Sequence, residues 1–330
     1  MNIPAVSVLV PVFNDAEHLG PALESIRRQC MQDFEVIVCD DASTDGSRSV
    51  ASEFCGLDER FRLIENAENL GMTRNWNRAL GFAIGRYVVK LDSDDAFEPQ
   101  ALAQLKAAME SDANPIAAYC RSLDCGPDLK PFSSYLGERA MVRAGIEPLA
   151  AHCRRGGAWY QLCFDDMQLW HSNAQMHRRE ALQAMGGWDE ALGCASDTDL
   201  ILRVLERDEP VCHVPYAGVL YRHRPGSVSG QYRANAWLRW ESAIVHLASL
   251  SRYHRAGHKL GGRLRKAWWR YWRNWRKLQA AGTADLDSLR ADARTRLLHQ
   301  AALVQGPPAS VLAEGALRQM AWNLAHARRG

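Results

Sequence analysis

The chain of 330 residues has no long apolar run and no C-x-x-C pair. A membrane-spanning helix needs a run of about 18 or more predominantly apolar residues. The sequence contains no such run. The first residues lack a basic segment ahead of an apolar core, so we expect no signal peptide. The nine cysteines are odd in number and scattered. This usage is typical of reduced thiols rather than a disulfide framework, and it favours a cytoplasmic protein.

Charge is spread unevenly along the chain, although the formal net charge is only +2. Residues 1–230 contain 22 Lys or Arg and 33 Asp or Glu, which gives −11, and residues 231–330 contain the other 18 and 5, which gives +13. Strand-like patterns also stop near residue 234. We therefore expect an α/β domain over residues 1–230 and a basic, helical region over residues 231–330.

Strand and helix patterns alternate through the first domain. Apolar, β-branched runs start at Val6, Phe34, Phe61 and Tyr87, and segments with helical spacing separate them. Such alternation predicts a doubly wound, mostly parallel α/β sheet. Residues 126–157 are rich in Gly and Pro, and their pattern predicts no particular element.

Acidic side chains follow two of the predicted strands. Asp92, Asp94 and Asp95 come directly after one strand, and Asp40 and Asp41 end another. Ligands bind at the carboxyl ends of the strands in open α/β sheets, so the two loops can line one pocket. Carboxylates this close repel one another, and a divalent ion shared with a substrate phosphate would relieve the repulsion. The alternative is that both loops are helix caps and solvated turns.

Several motifs resemble, in order and spacing, those of family 2 glycosyltransferases, which have the GT-A fold. Over about residues 6–99 they are Pro11-Val12-Phe13-Asn14, Asp40-Asp41-Ala42-Ser43-Thr44-Asp45-Gly46, Asn69-Leu70-Gly71 with Arg74-Asn75, and Leu91-Asp92-Ser93-Asp94-Asp95. Motifs resembling the acceptor half of the family are Gly186-Gly187-Trp188-Asp189-Glu190, Ser196-Asp197-Thr198-Asp199-Leu200 and Tyr221-Arg222-His223. The resemblance covers roughly the first 230 residues.

The resemblance implies an inverting, non-processive transfer of one sugar from a nucleotide-sugar, usually a UDP-sugar, with Mg²⁺ or Mn²⁺. By position, the residues it places around the donor are Pro11, Phe13 and Asn14 beside the nucleotide, Asp40 at the base, Arg74 near the diphosphate, and Asp92, Ser93 and Asp94 as the D-x-D motif. Asp94 would ligate the metal. Independently, a nucleoside diphosphate leaving group gains charge that a divalent cation stabilises.

Inversion needs a general base that takes the proton of the acceptor hydroxyl. The candidate is Asp197, at the start of a predicted helix, with Asp199 as the second choice. In the family a glutamate usually precedes this aspartate, whereas Ser196 does so here. The alternative is that Asp197 only caps its helix.

His223 follows a short predicted strand and is a candidate metal ligand, or a diphosphate contact together with Arg222. A lone histidine is often structural, so that alternative stays open. Arg224 and Ser227 precede and follow Pro225-Gly226, and they fit a flexible loop over the donor.

The basic region contains a predicted amphipathic helix over residues 263–279. One face carries Leu264, Trp268, Tyr271, Trp272, Trp275 and Leu278, and arginines lie on the others. Such a helix suits an anionic membrane surface, which fits a peripheral protein on the inner face of the membrane with a lipid-linked acceptor. Alternatively, the aromatic face packs on the catalytic domain or on a second subunit in an oligomer. No nucleic-acid-binding module accompanies it, so nucleic acid is not an expected partner.

We expect the acceptor to be a hydroxyl of a cell-surface glycan or of a lipid-linked precursor, with specificity set by residues 126–164. A polymer-extruding synthase is not expected, because Ala236 stands where the Q-x-x-R-W signature has glutamine. Two alternatives remain. A sugar-phosphate nucleotidyltransferase would show a Gly-rich loop near the N-terminus, and residues 11–15 contain no glycine. A non-catalytic nucleotide-sugar-binding module is favoured only by Ser196.

Overall fold

The computed structural model describes residues 3–134, 137–163, 169–227, 237–258 and 263–280. The chain divides into two units, one formed by residues 1–190 and 200–225 and the other by residues 191–199 and 226–330. The second unit therefore takes in residues 191–199, which the sequence analysis assigns to the first domain.

The first unit is built on one mixed sheet. Its strands are β1 (Val6–Val12), β2 (Phe34–Asp40), β3 (Phe61–Glu65), β4 (Tyr87–Lys90), β5 (Ala96–Phe97), β6 (Ala117–Cys125), β7 (Pro131–Ser134), β8 (His152–Arg155), β9 (Gln175–Arg178) and β10 (Pro210–Arg222). Their order is β3-β2-β1-β4-β9-β6-β10-β5, with β7 beside β6 and β8 beside β10. Of those eight, only β9 and β5 run against the others, so the predicted mostly parallel sheet is confirmed.

Helices cover the sheet and follow the strands as predicted. They are α1 (Ala16–Arg27), α2 (Ser47–Leu57), α3 (Met72–Phe82), α4 (Ala101–Met109), α5 (Gly137–Arg143), α6 (Gly156–Cys163), α7 (Arg179–Ala184) and α8 (Ser196–Glu206). The helical spacing of Leu19, Leu23 and Ile26 predicts the face of α1 that packs on the sheet, and all three are fully buried. Every residue of β1 and β2 is buried as well, as expected for parallel strands covered on both faces.

The register of the central strands sets where their loops lie. Val12 at the end of β1 pairs with Asp40 at the end of β2, and Leu9 of β1 pairs with Lys90 at the end of β4. The loops after β1, β2 and β4 therefore leave the sheet at one edge, where the sequence predicts the ligand site.

Two features differ from the sequence-based expectation. The sequence pattern predicts two short strands, Val211 to Val214 and Gly218 to Arg222, whereas the structure has a single strand, β10, which stays paired with β6 through two register shifts. A disulfide joins Cys153 to Cys212, whereas reduced thiols are expected from the sequence. The two cysteines face each other across the antiparallel pair β8–β10, with 4.1 Å between their Cα atoms. They lie 59 residues apart, so no local spacing indicates their proximity.

The described part of the second unit contains two long helices, α9 (Trp237–Arg255) and α10 (Arg263–Ala280). On α10, Tyr271 is buried, with its ring 6.2 Å from that of Trp240 on α9, whereas Trp269 is half exposed. Tyr271 thus packs within the basic region itself, and packing of the aromatic face on the catalytic domain or on a second subunit stays a prediction. The side chains of Leu264, Trp268, Trp272, Trp275 and Leu278 lie outside the described residues, so membrane binding stays a prediction. In the described ranges we find no helix of the length and apolarity that crossing a bilayer requires.

Two glycines near the start of β4 provide a matched stability test. A Cβ at Gly85 would lie 2.6 Å from the backbone nitrogen of Ser7 in the buried strand β1, whereas one at Gly81, inside α3, meets nothing within 4 Å. We expect Gly85→Ala to lower the free energy of unfolding by about 2 kcal/mol or more. Gly81→Ala should leave it unchanged or raise it by up to about 1 kcal/mol.

Urea denaturation followed by circular dichroism measures both values. Equal stability of the two variants would contradict the close approach of Gly85 to β1.

Candidate functional site

The loops after β1, β2 and β4 are hydrogen-bonded to one another. Asn14 accepts from the backbone N–H of Thr44 at 2.7 Å, which joins the β1 loop to the β2 loop. Asp15 accepts from the hydroxyl of Ser93 at 2.7 Å, which joins the β1 loop to residues 92–95, here called the D-x-D loop. Phe13 is half exposed beside these contacts, and Pro11 is buried in β1. Asn14 and Ser93, both predicted to lie at the donor, therefore help to connect the three loops.

Asp40 and Asp41 are both buried, but they have different surroundings. One carboxylate oxygen of Asp40 accepts from Arg48 Nε at 2.8 Å and from the backbone of Ser43 at 3.1 Å. Its other oxygen, Oδ1, is buried without a partner among the described residues. A buried acceptor in this state is unfavourable unless a ligand or water donates to it.

Asp41 instead holds the loop that leads to α3. It accepts from the side chain of Asn66 at 2.7 Å and from the backbone N–H groups of Leu70 and Gly71 at 2.8 and 2.9 Å. Gly71 has φ +87°, a conformation that favours glycine. The Asn69-Leu70-Gly71 motif is thus a turn fixed by a carboxylate from the neighbouring strand.

Arg74, predicted near the diphosphate, is largely exposed on α3, and its Nε lies 3.5 Å from Glu190. Asn77 on the same helix donates to the carbonyl of Trp188 at 2.8 Å and accepts from its N–H at 2.9 Å. The motif at residues 186–190 therefore packs beside the nucleotide half of the sequence, more than a hundred residues earlier. Whether Arg74 contacts a diphosphate stays a prediction.

Lys90, the last residue of β4, neutralises the first carboxylate of the D-x-D loop. Its Nζ is buried, lies 2.6 Å from Asp92 Oδ1, and is 3.9 Å from the ring centre of Trp76. Burial raises the pKa of Asp92, but the Lys90 ammonium, together with His171 and Asn173, outweighs burial and lowers the pKa below its usual value. Asp92 is therefore ionised at neutral pH and already has a cationic partner.

Asp94 shares a second cation with Asp15. Arg224, which follows β10, donates from Nε to Asp94 at 2.9 Å and from Nη2 to Asp15 at 3.1 Å. Burial and the charge of Asp92 raise the pKa of Asp94, and the hydrogen bond from Arg224 opposes this rise. The guanidinium thus bridges the loop after β1 and the D-x-D loop.

Asp95 anchors the D-x-D loop inside the protein. It is fully buried and accepts from the backbone N–H of Arg222 at 2.9 Å and from the side chain of Asn173. Burial and the charges of Asp94 and Asp92 raise its pKa well above the usual value. Arg222 also donates to the backbone carbonyl of Asp94. Asp95 therefore fixes the loop to β10.

His223, the predicted second metal ligand, is engaged elsewhere. Its Nε2 lies 2.9 Å from Asp124, and its ring contacts those of Tyr221 and Phe132. Within the described ranges no three His, Cys, Asp or Glu side chains form a group that could hold a metal ion. The carboxylates Asp92 and Asp94 are paired with basic side chains instead. In this arrangement, the side chains predicted to ligate a metal ion do not fit Mg²⁺ or Mn²⁺.

In the second unit, Asp197 lies in the first turn of α8 and is almost buried. Glu241 of α9, fully buried, accepts from the backbone N–H groups of Gly193 and Ala195 at 2.9 and 3.0 Å, just before this helix. Asp199, the second choice for the base, is buried against Arg252 at 3.3 Å. A carboxylate is thus present at the start of α8 despite Ser196, but it comes from α9.

Sequence reasoning missed four contributors: Lys90, Asp15, the anchoring role of Asp95, and Glu241. Only Lys90 has a local signal, because a lysine at the end of an otherwise apolar strand, two residues before an aspartate, indicates a buried ion pair. The others depend on contacts between distant parts of the chain.

Known proteins with similar sequences include glycosyltransferases. Residues 7–141 match the family model described as glycosyl transferase family 2. Chondroitin synthase of Pasteurella multocida is 32% identical over 126 residues, 38% of this chain and 13% of that protein. EpsH of Bacillus subtilis is 38% identical over 105 residues, 32% of this chain. The match spans only 30% of EpsH.

Solved structures agree on the fold. TarS of S. aureus, residues 1–349 in complex with UDP-GlcNAc, superimposes with a TM-score of 0.56 over 92% of this chain and 93% of that one. The sequence identity is 16%, so this similarity concerns the fold alone. The predicted GT-A type α/β architecture is confirmed.

The Lys90–Asp92 pair allows a test of the electrostatics. Lys90→Met should lower the free energy of unfolding by about 2 kcal/mol at pH 7, because Asp92 loses the cation beside its partly buried carboxylate. The Asp92 pKa should rise, so part of this loss should disappear as the pH falls and the carboxyl becomes protonated. The exposed pair Lys106–Glu110 is the control, and Lys106→Met should cost less than about 0.5 kcal/mol.

Urea denaturation between pH 4 and 7 measures both variants. A Lys90→Met effect as small as that of Lys106→Met would show that Asp92 needs no cation.

Proposed function

We propose that the chain is a member of glycosyltransferase family 2, which the match of residues 7–141 supports, and that it transfers one sugar from a nucleotide-sugar to an acceptor hydroxyl. The observation that carries this proposal is the unpartnered, buried oxygen of Asp40 at the edge where the three loops meet. A nucleotide base offers an N–H donor that would satisfy this oxygen.

A uridine nucleotide is the donor class we favour. TarS, which has a similar fold, has been solved with UDP and with UDP-GlcNAc. The N3–H group of uracil is a single donor that suits the single open acceptor of Asp40. Asn14 and Phe13 lie on the loop next to Asp40 and would contact the nucleotide. The predicted Mg²⁺ or Mn²⁺ enters no step here, because Asp92 and Asp94 are paired with basic side chains.

Asp197 is the proposed general base for inversion. In a single displacement, the acceptor oxygen bonds to the anomeric carbon, its proton passes to Asp197, and the bond to the diphosphate oxygen breaks with its electron pair on that oxygen. Two observations support the choice. First, the helix begins at Ser196, so Asp197 lies within its first turn and not at the capping position. Second, Asp199 forms an ion pair with Arg252.

For the acceptor we propose a hydroxyl of a cell-surface glycan or a lipid-linked precursor. The support is the name of a relative, chondroitin synthase, which makes a polysaccharide. A lipid-linked acceptor would suit a basic, Trp-rich α10 at the inner face of the membrane, although Tyr271 packs internally. The second candidate function is a nucleotide-sugar-binding module without turnover, which Ser196 favours. A nucleotidyltransferase is disfavoured by the family match.

Asp197→Asn tests the general base. In a panel of nucleotide-sugars, the wild type should slowly hydrolyse one donor and release its nucleoside diphosphate. The variant should lose about 100-fold or more in kcat, with KM nearly unchanged, because an amide cannot accept the proton. The exposed Asp112 offers the control, and Asp112→Asn should behave as the wild type.

Equal hydrolysis by Asp197→Asn and wild type would contradict the role of Asp197. If nucleotide binds but no donor turns over, even with membrane lipid extract added as acceptor, the non-catalytic module is the better description.

Asp40→Asn tests the base contact. The amide retains the size of the carboxylate but loses its charge, so the affinity for uridine and for UDP should fall by the same factor, about tenfold or more. Inorganic pyrophosphate should bind the variant and the wild type equally, since it has no base. Isothermal titration calorimetry measures all three. A loss with pyrophosphate as large as with UDP would place Asp40 at the phosphates instead.

A further inference from the structure

We propose that Arg224, held by Asp94 and Asp15, takes the place of a divalent cation at the D-x-D loop and binds the donor diphosphate directly. The proposal rests on the proposed function, because it takes the donor to be a nucleotide-sugar. In this proposal, the positive charge that stabilises the diphosphate leaving group comes from Arg224 and not from a metal ion. Arg224 is thus a donor-binding residue in addition to the D-x-D pair, Asp92 and Asp94.

The first step in the argument is the position of Arg224. Its guanidinium donates to Asp94 at 2.9 Å and to Asp15 at 3.1 Å, which brings a positive charge to the carboxylate predicted to hold a metal. These bonds use two of the five N–H groups of a guanidinium, so others remain to donate to an anion. The side chain is 23% exposed, which leaves it accessible to a ligand.

The second step concerns the carboxylates themselves. Lys90 neutralises Asp92, and Arg224 lies between Asp94 and Asp15, so two permanent cations serve three carboxylates. Much of the repulsion that would otherwise require a divalent ion is relieved without one. A metal ion at Asp94 would have to displace a charge-assisted hydrogen bond, and His223 would have to leave Asp124 to assist it.

The third step is preorganisation. A guanidinium forms paired hydrogen bonds with phosphate oxygens, and it compensates the charge that develops as the bond from the anomeric carbon to the diphosphate breaks. Because two carboxylates fix Arg224, little reorganisation is needed when the donor arrives. Arg222 supports this arrangement, since it binds Asp95 through its backbone and the carbonyl of Asp94 through its side chain. Its buried Nη2 has no partner among the described residues.

The test is nucleoside diphosphate binding with and without metal. UDP, GDP, CDP and dTDP are titrated into the full chain by calorimetry, once with EDTA and once with Mn²⁺. We expect one of them to bind the wild type with the same affinity, within about threefold, in both conditions. In EDTA, Arg224→Gln should weaken that binding about tenfold or more, because one charge-assisted contact to phosphate is lost.

Two further variants complete the design. Arg60 pairs with Asp58 before β3, at the other end of the strand from the site, so Arg60→Gln is the matched control and should bind as the wild type. Arg224→Ala frees Asp94 and Asp15, so it should bind Mn²⁺ together with the nucleotide where the wild type does not. Loss of the electron paramagnetic resonance signal of free Mn²⁺ measures this, and thermal melts confirm folding.

The outcomes separate this inference from the function on which it rests. Binding to the wild type that appears only with Mn²⁺, or unchanged binding by both Arg224→Gln and Arg224→Ala in EDTA, would overturn the role of Arg224 and leave the nucleotide-sugar proposal standing. If no nucleoside diphosphate binds the wild type in either condition, the proposed function itself is overturned, and this inference with it.

Discussion

The constraint on which the site depends is the neutralisation of carboxylates crowded at the ends of β1 and β4. Asp15, Asp92, Asp94 and Asp95 lie there in partly or fully buried surroundings, where unpaired charges are costly. Three features of the structure reduce this cost. A lysine inside the sheet pairs with Asp92, an arginine bridges Asp94 and Asp15, and burial raises the pKa of Asp95 so that its charged form is disfavoured.

This solution explains why β10 is long and irregular. Its register shifts against β6 lie between Val214 and Val219, and the strand continues to Arg222. Beyond these shifts the backbone N–H of Arg222 reaches Asp95, and the side chain of Arg224 reaches Asp94. A straight, shorter strand ending near Val214 would supply neither contact. The D-x-D loop and the end of β10 therefore form one structural element, although 130 residues separate Asp94 from Arg224.

The sequence predicts what short-range patterns control and misses what distant contacts control. The starts of β1, β2, β3 and β4 follow from runs of apolar, β-branched residues, and they are confirmed. Residues 126–157 show no pattern because the residues of β7 are exposed and β8 depends on pairing with β10. The same limit applies to the site. Sequence motifs indicate that the carboxylates lie near one another, but Arg224 becomes their partner only through the packing of β10.

The start of α8 has a buried acidic group beside it, although Ser196 stands where the resemblance predicts a glutamate. A helix that begins at Ser196 follows a turn whose backbone N–H groups, at Gly193 and Ala195, need acceptors. Glu241 provides both from α9 and is itself fully buried by doing so. The acidic group is therefore fixed by two hydrogen bonds rather than by its neighbour in sequence. Its anchoring role keeps the turn before Asp197 ordered, so Ser196 alone is weak evidence for a lost activity.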